Sequence, residues 1–245
     1  MGLSTRLFDY ENAAKSLVLP VNQINWVKWG ELAIYVGVLN DLKTNEIVLP
    51  AAILQGIFFS NDRPHYMNYG AIGFAIAELI THGFDDKGRQ FDKYGNLEDW
   101  WVPSTKEKFI TKVQCMIDQY GNYFVSELGL NLNGVRTQGD NTASNGGMKN
   151  AYLAYNERVR LNGKELLLPG LNYTDRQLFW ISAANSLCEN QKPDSATGHF
   201  LNSQLPRKFS INGALSNTDY FAKDFNCRVG SKMNPVSKCE VWRSL

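Results

Sequence analysis

The chain has 245 residues, 44% of them apolar, enough for one large domain or two small ones around an ordinary buried core. Lys plus Arg number 25 against 24 Asp plus Glu, a formal charge of +1, so the chain offers no basic footprint for nucleic acid or an anionic membrane. The best apolar stretch, Tyr69 to Phe84, is interrupted by Glu78 and His82 and is too short to span a bilayer.

In chain order, Met1 to Lys15 lacks a basic start followed by an apolar run and does not read as a signal peptide. Arg6 stands where a myristoylation motif wants Ser or Thr. Ala33 to Asn40, rich in β-branched and aromatic residues, predicts a strand, and Glu46 to Leu49 a second. Asp41 to Asn45 forms the turn between them, and Pro50 closes the unit. A helix follows over Tyr69 to His82. Asp85 to Trp101 is polar, contains Gly88 and Gly95, and reads as a loop. Ser104 and Glu107 carry a capping-box signature. Phe109, Val113, Met116, Ile117 and Tyr120 then recur at helical spacing on one face. Another helix is expected from about Asn145 to Val159. A further one begins at Thr174, with Gln177 completing its capping box, and ends near Cys188. Gly, Pro and Asn dominate the rest, where no further element is read. The fold class is α+β, mostly α-helical, with a small β-hairpin.

Cys115, Cys188, Cys227 and Cys239 fit no zinc knuckle or C-x-x-C motif, and their plain reading is buried thiols. Asn172-Tyr173-Thr174 is an N-glycosylation sequon. His65 and His199 read as surface residues.

Zinc peptidases often carry H-E-x-x-H on a helix. The two His share one face and hold the metal, and the Glu activates its water. The comparable segment here is Glu78-Leu79-Ile80-Thr81-His82-Gly83-Phe84-Asp85-Asp86, preceded by Asn68-Tyr69-Gly70-Ala71-Ile72-Gly73. It is followed by Gly88-Arg89-Gln90-Phe91-Asp92-Lys93 and Asp99-Trp100-Trp101. Leu49-Pro50-Ala51-Ala52-Ile53-Leu54-Gln55 lies upstream. Gly139-Asp140-Asn141-Thr142-Ala143-Ser144-Asn145-Gly146-Gly147, Leu168-Pro169-Gly170-Leu171 and Asn234-Pro235 to Cys239-Glu240-Val241-Trp242 lie downstream.

In these blocks and their order the chain resembles the carboxyl-terminal catalytic domain of the neprilysin and endothelin-converting-enzyme family of zinc metallopeptidases. The resemblance runs from about Leu32 to Trp242. It implies a thermolysin-like, zincin fold over 32–245, with 1–31 as a helical remnant of the family's preceding region. It also implies zinc as the family cofactor, and an extracellular or ectodomain setting.

Carried over position by position, the resemblance places the family's first zinc His on Glu78, its general base on Leu79 and its second zinc His on His82. The third ligand falls on Asp140, and the Asp that orients a zinc-bound His on Ser144. The transition-state His falls on Gln204, and the substrate-gripping Arg on Ser210. The family's substrate-pairing N-A-Y or N-A-F reads Asn40-Asp41-Leu42, so Asn40, Asp41 and Ser210 are the substrate-binding positions. Leucine takes no proton from water. Gln204 brings no charge to an oxyanion, and Ser210 makes no bidentate contact. The expectation is an inactive peptidase domain that binds peptide or protein. The alternative is a zinc endopeptidase with an altered site of Glu78, His82 and Asp140. The resemblance also implies a disulfide between Cys115 and Cys239. It leaves Cys188 and Cys227 free, paired together, or matched to an amino-terminal lobe missing here.

Overall fold

The computed structural model describes residues 2–18, 34–126, 128–189 and 205–242. The chain divides into two units, Met1–Ala33 and Ile34–Leu245. The described part of the first unit holds one helix, α1 (Gly2–Ser16), with Leu3, Leu7 and Phe8 exposed.

The second unit is mostly helical. Strands β1 (Leu39–Asp41) and β2 (Glu46–Val48) form an antiparallel hairpin with Leu39 opposite Val48. Residues 34–38, expected to extend the first strand, stay unpaired. In this register Gly37 would face Pro50, which has no N–H to donate, so the ladder stops. Next come α2 (His65–Asn68), one π-helical turn over Tyr69–Gly73, and α3 (Phe74–His82). The expected helix is therefore present but starts at His65.

Helix α4 (Pro103–Gly121) buries Phe109, Val113, Met116 and Tyr120, the face that the periodicity predicts. Its capping box does not form. Pro103 takes the first helical position, where its missing N–H costs nothing, and the Val102 carbonyl accepts from Thr105 and Lys106. A second hairpin pairs β3 (Phe124–Val125) with β4 (Leu130–Asn131).

Helix α5 (Gln138–Asn162) begins well before the expected Asn145. Helix α6 (Asp175–Ser186) has the predicted cap: Thr174 Oγ1 accepts from Gln177 N, and the Gln177 side chain accepts from Thr174 N. Two helices, α7 (Arg207–Asn217) and α8 (Asp219–Asp224), occupy the tail where none was read.

The core divides into two apolar clusters. One gathers Tyr66, Phe74, Met148, Tyr152, Tyr155, Phe179 and Trp180 from α2, α3, α5 and α6. The other joins α4 to the chain end through Phe109, Val113, Met116, Tyr120, Cys239 and Val241. Burying each large side chain of this kind contributes roughly 1.5–3 kcal/mol. The disulfide expected from the resemblance is present: Cys115 on α4 bonds Cys239, with Cα atoms 5.6 Å apart. Lys112 Nζ donates to the Val241 carbonyl at 3.0 Å and Lys149 Nζ to that of Trp242 at 2.8 Å, so the tail lies strapped across α4 and α5. Cys188 is exposed and Cys227 half-buried, and both are free. The buried-thiol reading thus fails for Cys188, which follows the last turn of α6.

Candidate functional site

The site forms where α3 lies against α5. Two glycines on α5 permit this approach. A Cβ on Gly147 would stand 2.6 Å from the backbone of Glu78, so only glycine lets the two helices pack this closely. A Cβ on Gly146 would meet Thr81 and Trp242. The side chains of both helices that face this seam are therefore the candidate residues.

Glu78, Ser144 and Ser210 come together although they lie on three helices. Ser144 Oγ donates to Glu78 Oε1 at 2.5 Å, and Ser210 Oγ stands 2.9 Å from Ser144 Oγ. A hydroxyl has one proton. With that of Ser144 directed at Glu78, Ser210 is the donor in the second bond. Ser144 and Ser210 are 1% and 3% exposed, so neither hydroxyl has water as an alternative partner. Burial pushes the Glu78 carboxyl above the usual carboxylate range, and the charge of Asp140 adds to that. The Ser144 hydroxyl, His82 and Arg207 pull the other way without reversing it.

His82 is held from behind. Its Nδ1 lies 2.7 Å from Asp85 Oδ2, while Asp85 Oδ1 accepts from the backbone N–H of Lys87 and Gly88, both at 2.8 Å. Asp85 is 4% exposed and its carboxylate is fully engaged, which fixes the ring orientation. Burial lowers the His82 pKa, but the Asp85 hydrogen bond and the charges of Asp85, Glu78 and Asp140 outweigh it and leave the imidazole above its ordinary value.

His82 and Asp140 line one open cleft of about 420 Å³, together with Asn40, Leu42, Leu79 and Arg136. Leu79, where the resemblance expects the general base, is buried, and its apolar side chain neither donates nor accepts a proton. Asn40 Nδ2 donates to the Leu79 carbonyl at 3.3 Å, tying the first hairpin to α3. Asp41 does not line the cleft; its Oδ1 accepts from Lys43 N and shapes the hairpin turn. Ser210 is likewise absent from the lining because it is committed to Ser144. Asp140 Oδ2 accepts a long bond from Leu205 N at 3.4 Å. Gln204 and His199 lie outside the described residues. His65 is at the surface, bonded to Glu165 at the start of α2. Asn172 is exposed in the segment before α6.

Zinc is the metal that the resemblance implies, and the donors as arranged do not fit it. Glu78 Oε1 is spent on Ser144, and among the described residues His82 is the one imidazole at the cleft. Among the described residues no three His, Cys, Asp or Glu side chains converge as ion ligands.

Asp85 and Arg136 are among the cleft residues that were not singled out from the sequence. Asp85 had a readable signal, since a carboxylate three positions after His82 on a turn is placed to orient the ring. Arg136 had none, because its place in the cleft depends on how the loop before α5 folds back.

Residues 40–241 match the profile of Peptidase family M13. The chain is 48% identical over 241 residues to Neprilysin-2 of Drosophila melanogaster, covering 98% of this chain and 31% of that protein. It is 45% identical over 199 residues to endothelin-converting enzyme 1 of Bos taurus, covering 81% and 26%. Among solved structures, a chain of the Haemonchus galactose-containing glycoprotein complex superposes with a TM-score of 0.79 at 34% identity, covering 84% of this chain and 35% of that one. The open state of the zinc metalloprotease ZMP1 of Mycobacterium tuberculosis gives 0.81 at 28% identity, covering 90% and 35%. The chain thus spans about a third of the length of the relatives it matches. The profile match over most of its length, with these identities, shows that this chain belongs to Peptidase family M13.

Proposed function

We propose that this domain is a peptidase-family scaffold that binds peptide or protein without hydrolysing it. The observation that carries this reading is the pair Glu78 and Leu79. The first turns its carboxyl into the protein toward Ser144, and the second presents a buried hydrocarbon where the chemistry needs a base. Ser144 and Ser210 in place of Asp and Arg support the same reading. The cleft is lined by both apolar and charged groups, and among the described residues β1 has a strand partner on one side only. An extended peptide laid along that edge would gain backbone hydrogen bonds, with the cleft receiving its side chains. An amino-terminal lobe, as found in longer members of the family, is a second candidate partner. The Cys115–Cys239 disulfide and the Asn172 sequon support an extracellular or ectodomain setting, where oxidation and glycosylation take place.

A set of fluorogenic peptides incubated with the purified protein, with and without a chelator, tests the reading. Peptides are expected to bind and to remain intact. Chelator-sensitive cleavage would overturn the proposal. The double substitution E78H/L79E restores a ligand and the base but leaves Ser144, Gln204 and Ser210. It is expected to show no turnover above the wild-type background, because groups that act as one catalytic unit do not work singly.

A further inference from the structure

We propose that the hydrogen-bonded chain Ser210–Ser144–Glu78 replaces a metal ion as the tie between α3, α5 and α7, so that this domain folds metal-free. The inference deepens the non-catalytic reading and rests on it only in taking the site to be empty of zinc.

The three residues belong to three helices, and the members of each bonded pair are 66 positions apart in sequence. A metal would serve the same purpose by drawing side chains from separate helices onto one ion. Here the drawing-together is done by two hydrogen bonds in a seam where Gly147 already brings α5 against the Glu78 backbone. Buried hydroxyls left without partners are destabilising. Both serines have partners, and they are each other and Glu78.

The three residue types also make sense only as a set. An Asp at position 144 would set a second carboxylate against Glu78 at hydrogen-bond distance, which like charges oppose. A His at position 78 would remove the acceptor that takes the Ser144 proton. An Arg at position 210 would place a long cation in a pocket where Ser210 is 3% exposed. Among the described residues no three His, Cys, Asp or Glu side chains are placed to hold one ion, whereas a closed structural zinc site takes four ligands.

The test uses the purified chain, incubated with zinc chloride, desalted, and assayed for bound metal and for Tm with and without a chelator. Zinc is expected to be substoichiometric and the Tm unchanged by either treatment. A tight zinc site would raise Tm by roughly 5–10 °C at saturating metal, and stoichiometric zinc with such a shift would overturn the proposal. The second arm is a thermal-denaturation cycle. S144A is expected to lower Tm by roughly 3–6 °C in the wild type and to have a smaller effect in E78L, where only the bond to Ser210 is left for it to remove. Additive effects would overturn the proposal. If E78L does not fold, the S144A/S210A cycle reads the same coupling, with the same two outcomes. Cleavage of peptides by the metal-free protein would sink the non-catalytic reading and leave this one standing. Stoichiometric zinc without cleavage would do the reverse.

Discussion

Gly147 carries more of the site than its lack of side chain implies. The Glu78 backbone occupies the space that the Cβ of any other residue at this position would need. Gly147→Ala forces α3 and α5 apart and is expected to cost about 1–3 kcal/mol, read as a lower urea midpoint with an unchanged m-value. An unchanged midpoint would show that the seam is looser than the packing implies. The neighbouring residues show what a sequence can and cannot reveal. The types of Glu78, Leu79 and Ser144 are plain in the text of the chain, and so is their contrast with the residues that the resemblance leads one to expect there. That Glu78 bonds Ser144 rather than facing the cleft with His82 depends on rotamers and burial, which no spacing encodes. In the sequence, Ser210 stood out only as the position where the resemblance expects an arginine. Its role as a donor to Ser144 follows from the depth of α7.

Legibility at the level of elements tracks how each helix is held. Helix α4 shows a regular apolar face and α6 a reciprocal cap, so both are readable. Thr174→Ala removes the hydroxyl that accepts from Gln177 N and is expected to destabilise by about 1 kcal/mol, measured by thermal or chemical denaturation. Substitution by Ser or Asp should recover most of the loss, since both can accept the same bond. The first half of α5 is different. Its buried residues are Asn141, Thr142, Ala143, Ser144, Gly146 and Gly147, which pack by being small and leave no apolar period to detect. Helix α7 hid for the same reason: its buried face is Ser210, Gly213, Ala214, Leu215 and Ser216. Gly and Asn in a sequence signal a turn when seen alone, yet here they mark surfaces where helices touch closely. The π-helical turn over Tyr69–Gly73 follows the same logic, since a Cβ on Gly70 would strike the Phe179 carbonyl of α6.

Across the whole domain, α7 contributes to both apolar clusters, Ala214 and Leu215 to the first and Phe209 to the second, and the tail closes the second of them. Cys239 links that tail to α4 across a sequence separation of 124. A loop of that size gives a chain-entropy stabilisation of about 4–5 kcal/mol. Reduction, or the C115S/C239S pair, is expected to lower Tm by roughly 10 °C or more. A Tm indifferent to reductant would mean that Lys112, Lys149 and the buried Val241 hold the strap unaided. The clusters themselves were foreseeable from the aromatic content. The strap was foreseeable only through the family resemblance, because cysteine spacing alone left the pairing open. That strap also dictates an order of manufacture. Residues 239–242 leave the ribosome after every other part of the second cluster, so that cluster is completed only once they have been made. A message cut short before the codon for Cys239 would yield the candidate cleft residues in full, on a scaffold that had lost its clasp.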